Sequence, residues 1–406
     1  MRTIRSLNIF DFRFLIFDWC IRGNQKWSIV IGCLFVCSLL CCSVGAQHLN
    51  VSDIRISLLT AAPGEELYLR FGHNALRVRI DSHEYDAVYN YGTFDFNQPN
   101  FYINFARGRM LYFLGKTSYE HFIAEYMYEN RRMREQVFEL DSVQTWFVFQ
   151  FLENNVLPEN RYYRYHFLYD NCATRIRDLM LQTFPGITLP EAQEAPTFRE
   201  LIHRYTEEHP WGKFGIDIAL GLPTEQKTGM YEQMFLPDYV FDAFANVLYN
   251  GQPIVKQTRD IFIPDRPAIQ PPGPITPMVV CCFILTLAVL FLYVQRGSQV
   301  FDFVLFFTVG LVGLLVTFLW FFTDHTNTVN NLNIIWALPT HFAMAFFLIP
   351  GRRSNFTRIY FLVTAIIAML LVVSWVFLPQ RLNPALIPLV LAVAMRAFRV
   401  FKTLKK

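Results

Sequence analysis

Cys172 is the residue on which covalent chemistry could be built. The chain holds eight Cys. Cys33, Cys37, Cys41 and Cys42 fall in an apolar run near the N-terminus, Cys20 precedes that run, and Cys281 and Cys282 fall in a later one. Cys172 alone stands in the polar stretch between them, without an intramolecular disulfide partner there. In an oxidising compartment such a thiol is either buried as a small hydrophobe or used. Asp170 or Asn171 can cap a helix, and Ile176, Leu179 and Met180 follow at helical spacing. This predicts Cys172 in a first helical turn, where backbone N–H groups and the helix dipole favour thiolate. Thiolate is the nucleophile that acyl transfer needs.

A thiol of this kind needs a base. The same stretch offers His48, His73, His83, His121, His166, His203 and His209. His73 is the sharpest candidate: Gly72 before it permits close approach, and the alternation after it predicts a strand with His73, Ala75 and Arg77 on one face. A turn over 81–84 leads into a second predicted strand over 85–92. Its Asn90 could hold an imidazole in one tautomer, the third role of a Cys–His–polar site. His83 is the alternative third residue. Either is also readable as an ordinary turn or sheet residue, and spacing alone does not bring His73 to Cys172.

The elements that must position these residues follow from how polarity is distributed. Of 406 residues, 53% are hydrophobic and only 17% charged, with 41 Phe. A soluble domain carries about 25% charge, so a wholly soluble or a disordered chain is excluded, and a net charge of +3 gives no reason to expect nucleic acid. Residues 1–46 read as a secretory signal or an uncleaved anchor: Arg2, Arg5, Arg13, Arg22 and Lys26 precede the apolar run 27–42, which ends in Ser43-Val44-Gly45-Ala46. Residues 47–262 have ordinary polarity and suffice for one exported domain. Residues 263–275 form a Pro-rich linker. Residues 276–406 read as an all-α membrane domain with spans near 276–293, 300–322, 334–350, 359–378 and 384–400. Arg396 and Arg399, near the end of the last span, are expected to snorkel to the interface. With the preceding domain exported, Arg296, Arg352, Arg353, Arg358, Arg396, Arg399, Lys402, Lys405 and Lys406 fall inside. The outer loop 324–332 has no Lys or Arg and the loop 380–383 only Arg381, as the positive-inside rule requires. No internal repeat, metal-ligand spacing or nucleotide loop is visible.

Further residues deserve placement. Asp324 and His325, with Asn333 beyond them, lie at the outer interface, where they could orient a lipid head group, support the exported domain, or form a solvated loop. His341 lies inside a span, where an ionisable residue is a site candidate or makes a helix–helix hydrogen bond. Aromatic residues are dense over 94–113 and 162–169, with Arg107 and Arg109 among them; the mixture suits either an interfacial surface or a core. Arg131, Arg132 and Arg134 read as a solvated face.

The segments Phe71-Gly72-His73-Asn74-Ala75-Leu76-Arg77-Val78, Tyr89-Asn90-Tyr91-Gly92-Thr93-Phe94-Asp95-Phe96 and Tyr169-Asp170-Asn171-Cys172-Ala173-Thr174-Arg175 together resemble the Lnb-type lipoprotein N-acyltransferases of Bacteroidota. The resemblance implies an exported thiol domain on a small helical membrane domain, in the inner membrane, multi-pass, with the catalytic part periplasmic. It implies transfer of an acyl chain from a phospholipid, through a Cys172 thioester, to the amine of a diacylglyceryl-cysteine lipoprotein, without cofactor or metal. Asn171, Tyr91 and Arg175 are then expected near the oxyanion or substrate. The His-before-Cys order also resembles circularly permuted papain-like enzymes such as lecithin–retinol acyltransferase, so the exported domain is expected to be α+β of that type; the long insertion between His73 and Cys172 departs from the compact version. Two rivals stand beside this reading: a membrane-anchored cell-wall thiol peptidase or amidase, and a non-enzymatic lipoprotein-binding module.

Overall fold

The computed structural model describes residues 50–95, 98–266, 269–349 and 354–403. The expected signal segment 1–46 and the basic residues Arg352, Arg353, Lys405 and Lys406 lie outside the described residues. Strands β1 (Ile54–Ala61), β2 (His73–Ile80), β3 (Tyr85–Thr93) and β4 (Leu111–Ser118) form an antiparallel meander. With β5 (Met133–Phe138), β6 (Tyr162–Arg164) and β9 (Val255–Phe262) they make one sheet in the order β6-β4-β3-β2-β1-β5-β9. The short strands β7 (Leu248–Tyr249) and β8 (Gln252–Pro253) pair separately.

The predicted 85–92 strand is β3, and the predicted turn is a short helical turn over Asp81–His83 closed by Glu84 in the left-handed region. The helices of this part are α1 (Phe101–Ala106), α2 (Tyr119–Tyr128), α3 (Ser142–Asn155), α4 (Cys172–Thr183), α5 (Phe198–Thr206), α6 (Pro210–Ala219), α7 (Met230–Gln233) and α8 (Pro237–Ala245). Both faces of the central strands are covered, which is why β2 carries buried residues at successive positions rather than a strict alternation. On one face Ala75 and Val88 pack with Phe122, Ile123 and Tyr126 of α2. Helices α4 and α8 lie against β2 and β1.

The C-terminal part is helical: α9 (Pro277–Tyr293), α10 (Ser298–Phe321), a broken segment containing α11 (Thr340–Ala345), α12 (Asn355–Ser374) and α13 (Leu386–Thr403). Among the described residues, Ser298–Phe321 and Asn355–Phe377 are long and apolar enough to cross a membrane, while Pro277–Tyr293 and Leu332–Leu348 are shorter apolar helical segments. Arg396 does not snorkel. It is fully buried, with its guanidinium on both Asp302 oxygens at 2.6 and 2.9 Å and on Ser298 Oγ at 2.6 Å. Arg399 likewise turns inward to Ser298 and Gln295. A carboxylate one turn into α10 provides a better partner than the interface. His341 Nδ1 bonds the Tyr360 hydroxyl of α12 at 2.5 Å, the helix–helix alternative.

A polar junction joins the two parts. Asp217 on α6, nearly fully buried, receives hydrogen bonds from Arg199 at 2.8 Å, His203 at 2.7 Å and Asn383 at 2.9 Å. Asn333 Nδ2 donates to the Asp217 carbonyl at 2.9 Å, Asn331 to that of Ile218 at 2.8 Å, and Gln380 to that of Leu220 at 2.9 Å. The Gly221 N–H donates to the Asn327 carbonyl at 2.8 Å. The backbones approach so closely that a Cβ at Gly221 would collide with the Val329 carbonyl. Gly221→Ala is therefore expected to cost about 1–3 kcal/mol through overpacking and to lower the melting temperature of the detergent-solubilised chain. Gly215→Ala, in the exposed interior of α6 where the Cβ would meet open space, should keep the melting temperature or raise it slightly, since Ala favours a helix over Gly; equal melting temperatures for both variants would refute this account of the junction.

Candidate active site

The first turn of α4 is built by its cap. The Asn171 Oδ1 accepts from the Ala173 and Thr174 N–H groups, each at 2.9 Å, while Thr174 Oγ1 accepts the Asn171 N–H at 2.8 Å. This reciprocal box places Cys172 as the first helical residue. Asn171 Nδ2 donates to the Phe167 and Phe235 carbonyls at 2.7 and 2.9 Å, so both of its amide hydrogens are taken. Asn171, expected near the oxyanion, is thus the residue that fixes the helix start.

The start of β2 is equally constrained. Gly72 has φ of +74° and a Cβ there would lie 2.8 Å from the Ala61 carbonyl oxygen; only glycine takes that conformation at that distance without strain. The chain then enters β2 at His73. The His73 Nε2 lies 2.6 Å from Asn90 Oδ1. Because a carboxamide oxygen only accepts, Nε2 carries the proton and Nδ1 is left for the thiol. Cys172 and His73 are within hydrogen-bonding reach of each other, and both are half-buried. β3 bulges between Asn90 and Thr93, beside His73. The Tyr126 ring stacks parallel to the imidazole at a centroid distance of 6.4 Å.

The electrostatics follow from this geometry. Burial pushes the Cys172 thiol up, but the facing imidazolium, its hydrogen bond and the backbone N–H groups of Asn74 and Ala173 outweigh it, and the net direction is down. Burial pulls His73 down, yet the thiolate and the bonds to Cys172 and Asn90 carry it above its ordinary value. The two displacements favour a thiolate–imidazolium pair.

The other expected residues have different surroundings. His83 sits in the Asp81–His83 turn at the opposite end of β2 and bonds Ser82 Oγ at 2.8 Å, so it is far from His73. The Tyr91 hydroxyl donates to Asn155 at 2.6 Å. Arg175 forks onto Asp170 at 2.6 and 2.9 Å and lies 3.7 Å over the Tyr163 ring, which Tyr91 meets edge-on. Asp324 takes a fork from Arg109 at 2.8 and 3.3 Å, and the His325 ring faces the Phe105 carbonyl. Asn333 is buried in the polar junction. Arg131 and Arg134 are not a solvated face. Arg131 is buried over the Tyr126 ring and bonds the Ala62 carbonyl at 2.8 Å, and Arg134 lies 3.9 Å over Phe241 and bonds Asp238 at 2.6 Å. Only Arg132, paired with Asp260, stays exposed. Tyr126, stacked on His73, carries no signal in sequence beyond the buried face it shares with Phe122 and Ile123.

These directions predict a pH profile. Alkylation of Cys172, followed on its peptide, should persist below the ordinary thiol range, because thiolate is present at every pH above the lowered thiol value. In His73→Ala burial is opposed only by the Asn74 and Ala173 N–H groups, the thiol value rises, and the rate at neutral pH should fall about tenfold or more, the factor that one pH unit produces. Asn90→Ala should give a smaller fall. An unchanged profile in His73→Ala would refute the pairing.

Residues 43–204 match the family described as the Lnb N-terminal periplasmic domain, and residues 269–406 match that described as the Lnb transmembrane domain. No curated protein and no solved structure matches the chain. The two matches fall in chain order on the sheet domain with its capped thiol and on the helical C-terminal part, so the protein is membrane-anchored with a periplasmic portion. The chain belongs to the Lnb family of lipoprotein N-acyltransferases.

Proposed function

We propose that this protein transfers an acyl chain from a phospholipid to the α-amine of a lipoprotein's diacylglyceryl-cysteine, through a thioester on Cys172. The observation that carries this reading is the Cys172–His73–Asn90 row in one folded body with apolar helices long enough to cross a membrane. His73 Nδ1 takes the thiol proton and Asn90 holds the imidazole in that orientation. The thiolate attacks the ester carbonyl carbon of the phospholipid. As the tetrahedral adduct collapses, the carbon–oxygen bond to glycerol breaks, and the imidazolium returns its proton to the departing alkoxide, which leaves as lysophospholipid. The lipoprotein amine then attacks the thioester, His73 accepts its proton, and the thiolate leaves.

The cap of α4 supports a place for the oxyanion. It occupies the Ala173 and Thr174 N–H groups, and among the described residues the Cys172 N–H has no cap partner; that amide is the donor proposed to face the oxyanion. The order of a strand bearing His before a helix bearing Cys supports a permuted papain-like arrangement. The charge bias of the loops supports an inner-membrane protein crossing five times, with the thiol on the periplasmic side. Both substrates then share one leaflet, so a tethered site gains effective concentration, and the partly buried site limits hydrolysis of the thioester.

The decisive measurement uses purified protein, a phospholipid with a labelled acyl chain and a diacylated lipoprotein. The Cys172 peptide should gain the mass of one acyl chain when acceptor is withheld, and the lipoprotein N-terminus should gain it when acceptor is added. Cys172→Ser should lower both by at least about a thousandfold, as loss of a nucleophile does. Full N-acylation by purified Cys172→Ser, or cleavage of cell-wall stem peptides with lipids untouched, would overturn the reading.

A further inference from the structure

Resting on that reading, we infer that α1 lies in the outer surface of the bilayer and that an aromatic row running from it to Cys172 is the path by which a phospholipid acyl chain leaves the membrane for the thiol. The row starts beside the nucleophile. Tyr165 lies seven residues before Cys172, and Arg175, in the same first turn of α4 as the thiol, covers with its guanidinium the ring of Tyr163 on the adjoining strand β6 at 3.7 Å. Tyr165 stacks on Tyr112 at 4.3 Å, Tyr112 meets Phe94 at 5.3 Å, Phe94 meets Phe101 at 6.1 Å, and Phe101 meets Phe105 at 6.5 Å. The four inner rings are half-buried and Phe105 is exposed, so the row is accessible along its length while its far end opens outward. Burial and the nearby Cys172 thiolate both raise the Tyr165 phenol, which fits a position at the thiol.

The outer end is held at the membrane. Asp324, three residues beyond the apolar helix α10, receives the Arg109 fork and donates its N–H to the Arg107 carbonyl at 2.8 Å, and His325 packs against Gly108. This fixes α1 at the level where α10 ends. Tyr102, Ile103 and Phe105 are 82%, 58% and 60% exposed, and Phe321 and Phe322 at the end of α10 are exposed as well. An apolar surface continuous with the end of a membrane-crossing helix and rimmed by Arg107, Arg109 and Arg164 suits the boundary between acyl chains and anionic head groups. The occupant is therefore a phospholipid, with its phosphate among the arginines and one chain along the rings.

The test uses the full chain in vesicles of phosphatidylethanolamine and phosphatidylglycerol doped with a phospholipid bearing a diazirine on one acyl chain. After irradiation, adducts are mapped by peptide mass spectrometry, in the native protein and in Cys172→Ser. Adducts over 98–112 and at Tyr165 in both proteins, with none on the exposed Val143 at the opposite end of the sheet, are expected. Adducts confined to α9, α10, α12 and α13 would overturn the path. Because adduct formation needs no chemistry at Cys172, this pattern stands even if no thioester forms, which is the failure of the acyl-transfer reading. Phe105→Asp places a charge on the apolar face and should slow acyl transfer from vesicle phospholipid about tenfold or more. The alkylation rate of Cys172 in the same variant reports whether the site is intact, and an unchanged transfer rate with an intact site also overturns the path.

Discussion

The contact between the first turn of α4 and the first residue of β2 is the constraint around which this domain is arranged. A thiolate and an imidazolium half-removed from water are stable only against each other and against oriented donors. The chain meets that demand with two local devices far apart in sequence. The Asn171–Thr174 box fixes where the helix begins, and the left-handed Gly72 beside the Ala61 carbonyl fixes where the strand begins. The sheet then has to be covered on both faces, with α2 supplying the Tyr126 ring behind His73 and α4 supplying the thiol. The register of β2 with β3, Leu76 opposite Tyr89, brings Asn90 to the imidazole.

How much of this was legible in the sequence depended on how local each cause was. The capped helix at Cys172, the strand from His73 and the Asn90 strand were readable because their signals lie within a few residues: a cap, a glycine, an alternation. The C-terminal helices were readable from apolar runs. Four arginines depart from the polarity pattern for one reason. Polarity alone places Arg131, Arg134, Arg396 and Arg399 in water or at an interface, but each has a partner distant in sequence: the Ala62 carbonyl, Asp238 and Phe241, and Asp302 with Ser298. A long-range pair leaves no mark on a window of neighbours. Asn171 shows the converse, since its place next to the thiol suggested contact with substrate while its hydrogens are spent on the backbone.

The two parts of the protein are joined through backbone carbonyls as well as through Phe214 and Ile218 of α6, which pack against the apolar cluster of the C-terminal helices. Asn331, Asn333 and Gln380 all donate to the main chain of residues 217–220, and Asp217 collects donors from both sides. Its carboxyl is pushed up by burial but held below its ordinary range by His203, Arg199 and Asn383. Hydrogen bonds to main-chain atoms are directional and tolerate little sliding. The thiol therefore keeps a set height and tilt relative to the helical part.

The Asp302–Arg396 pair bears on how the protein is made. The ribosome completes α10 well before it reaches α13, so Asp302 is synthesised long before the guanidinium that neutralises it. During that interval the carboxylate, one turn into an otherwise apolar helix, lacks the charge that offsets its burial. Arrival of Arg396 supplies that charge, and the pair thereby marks a chain whose helical bundle has closed.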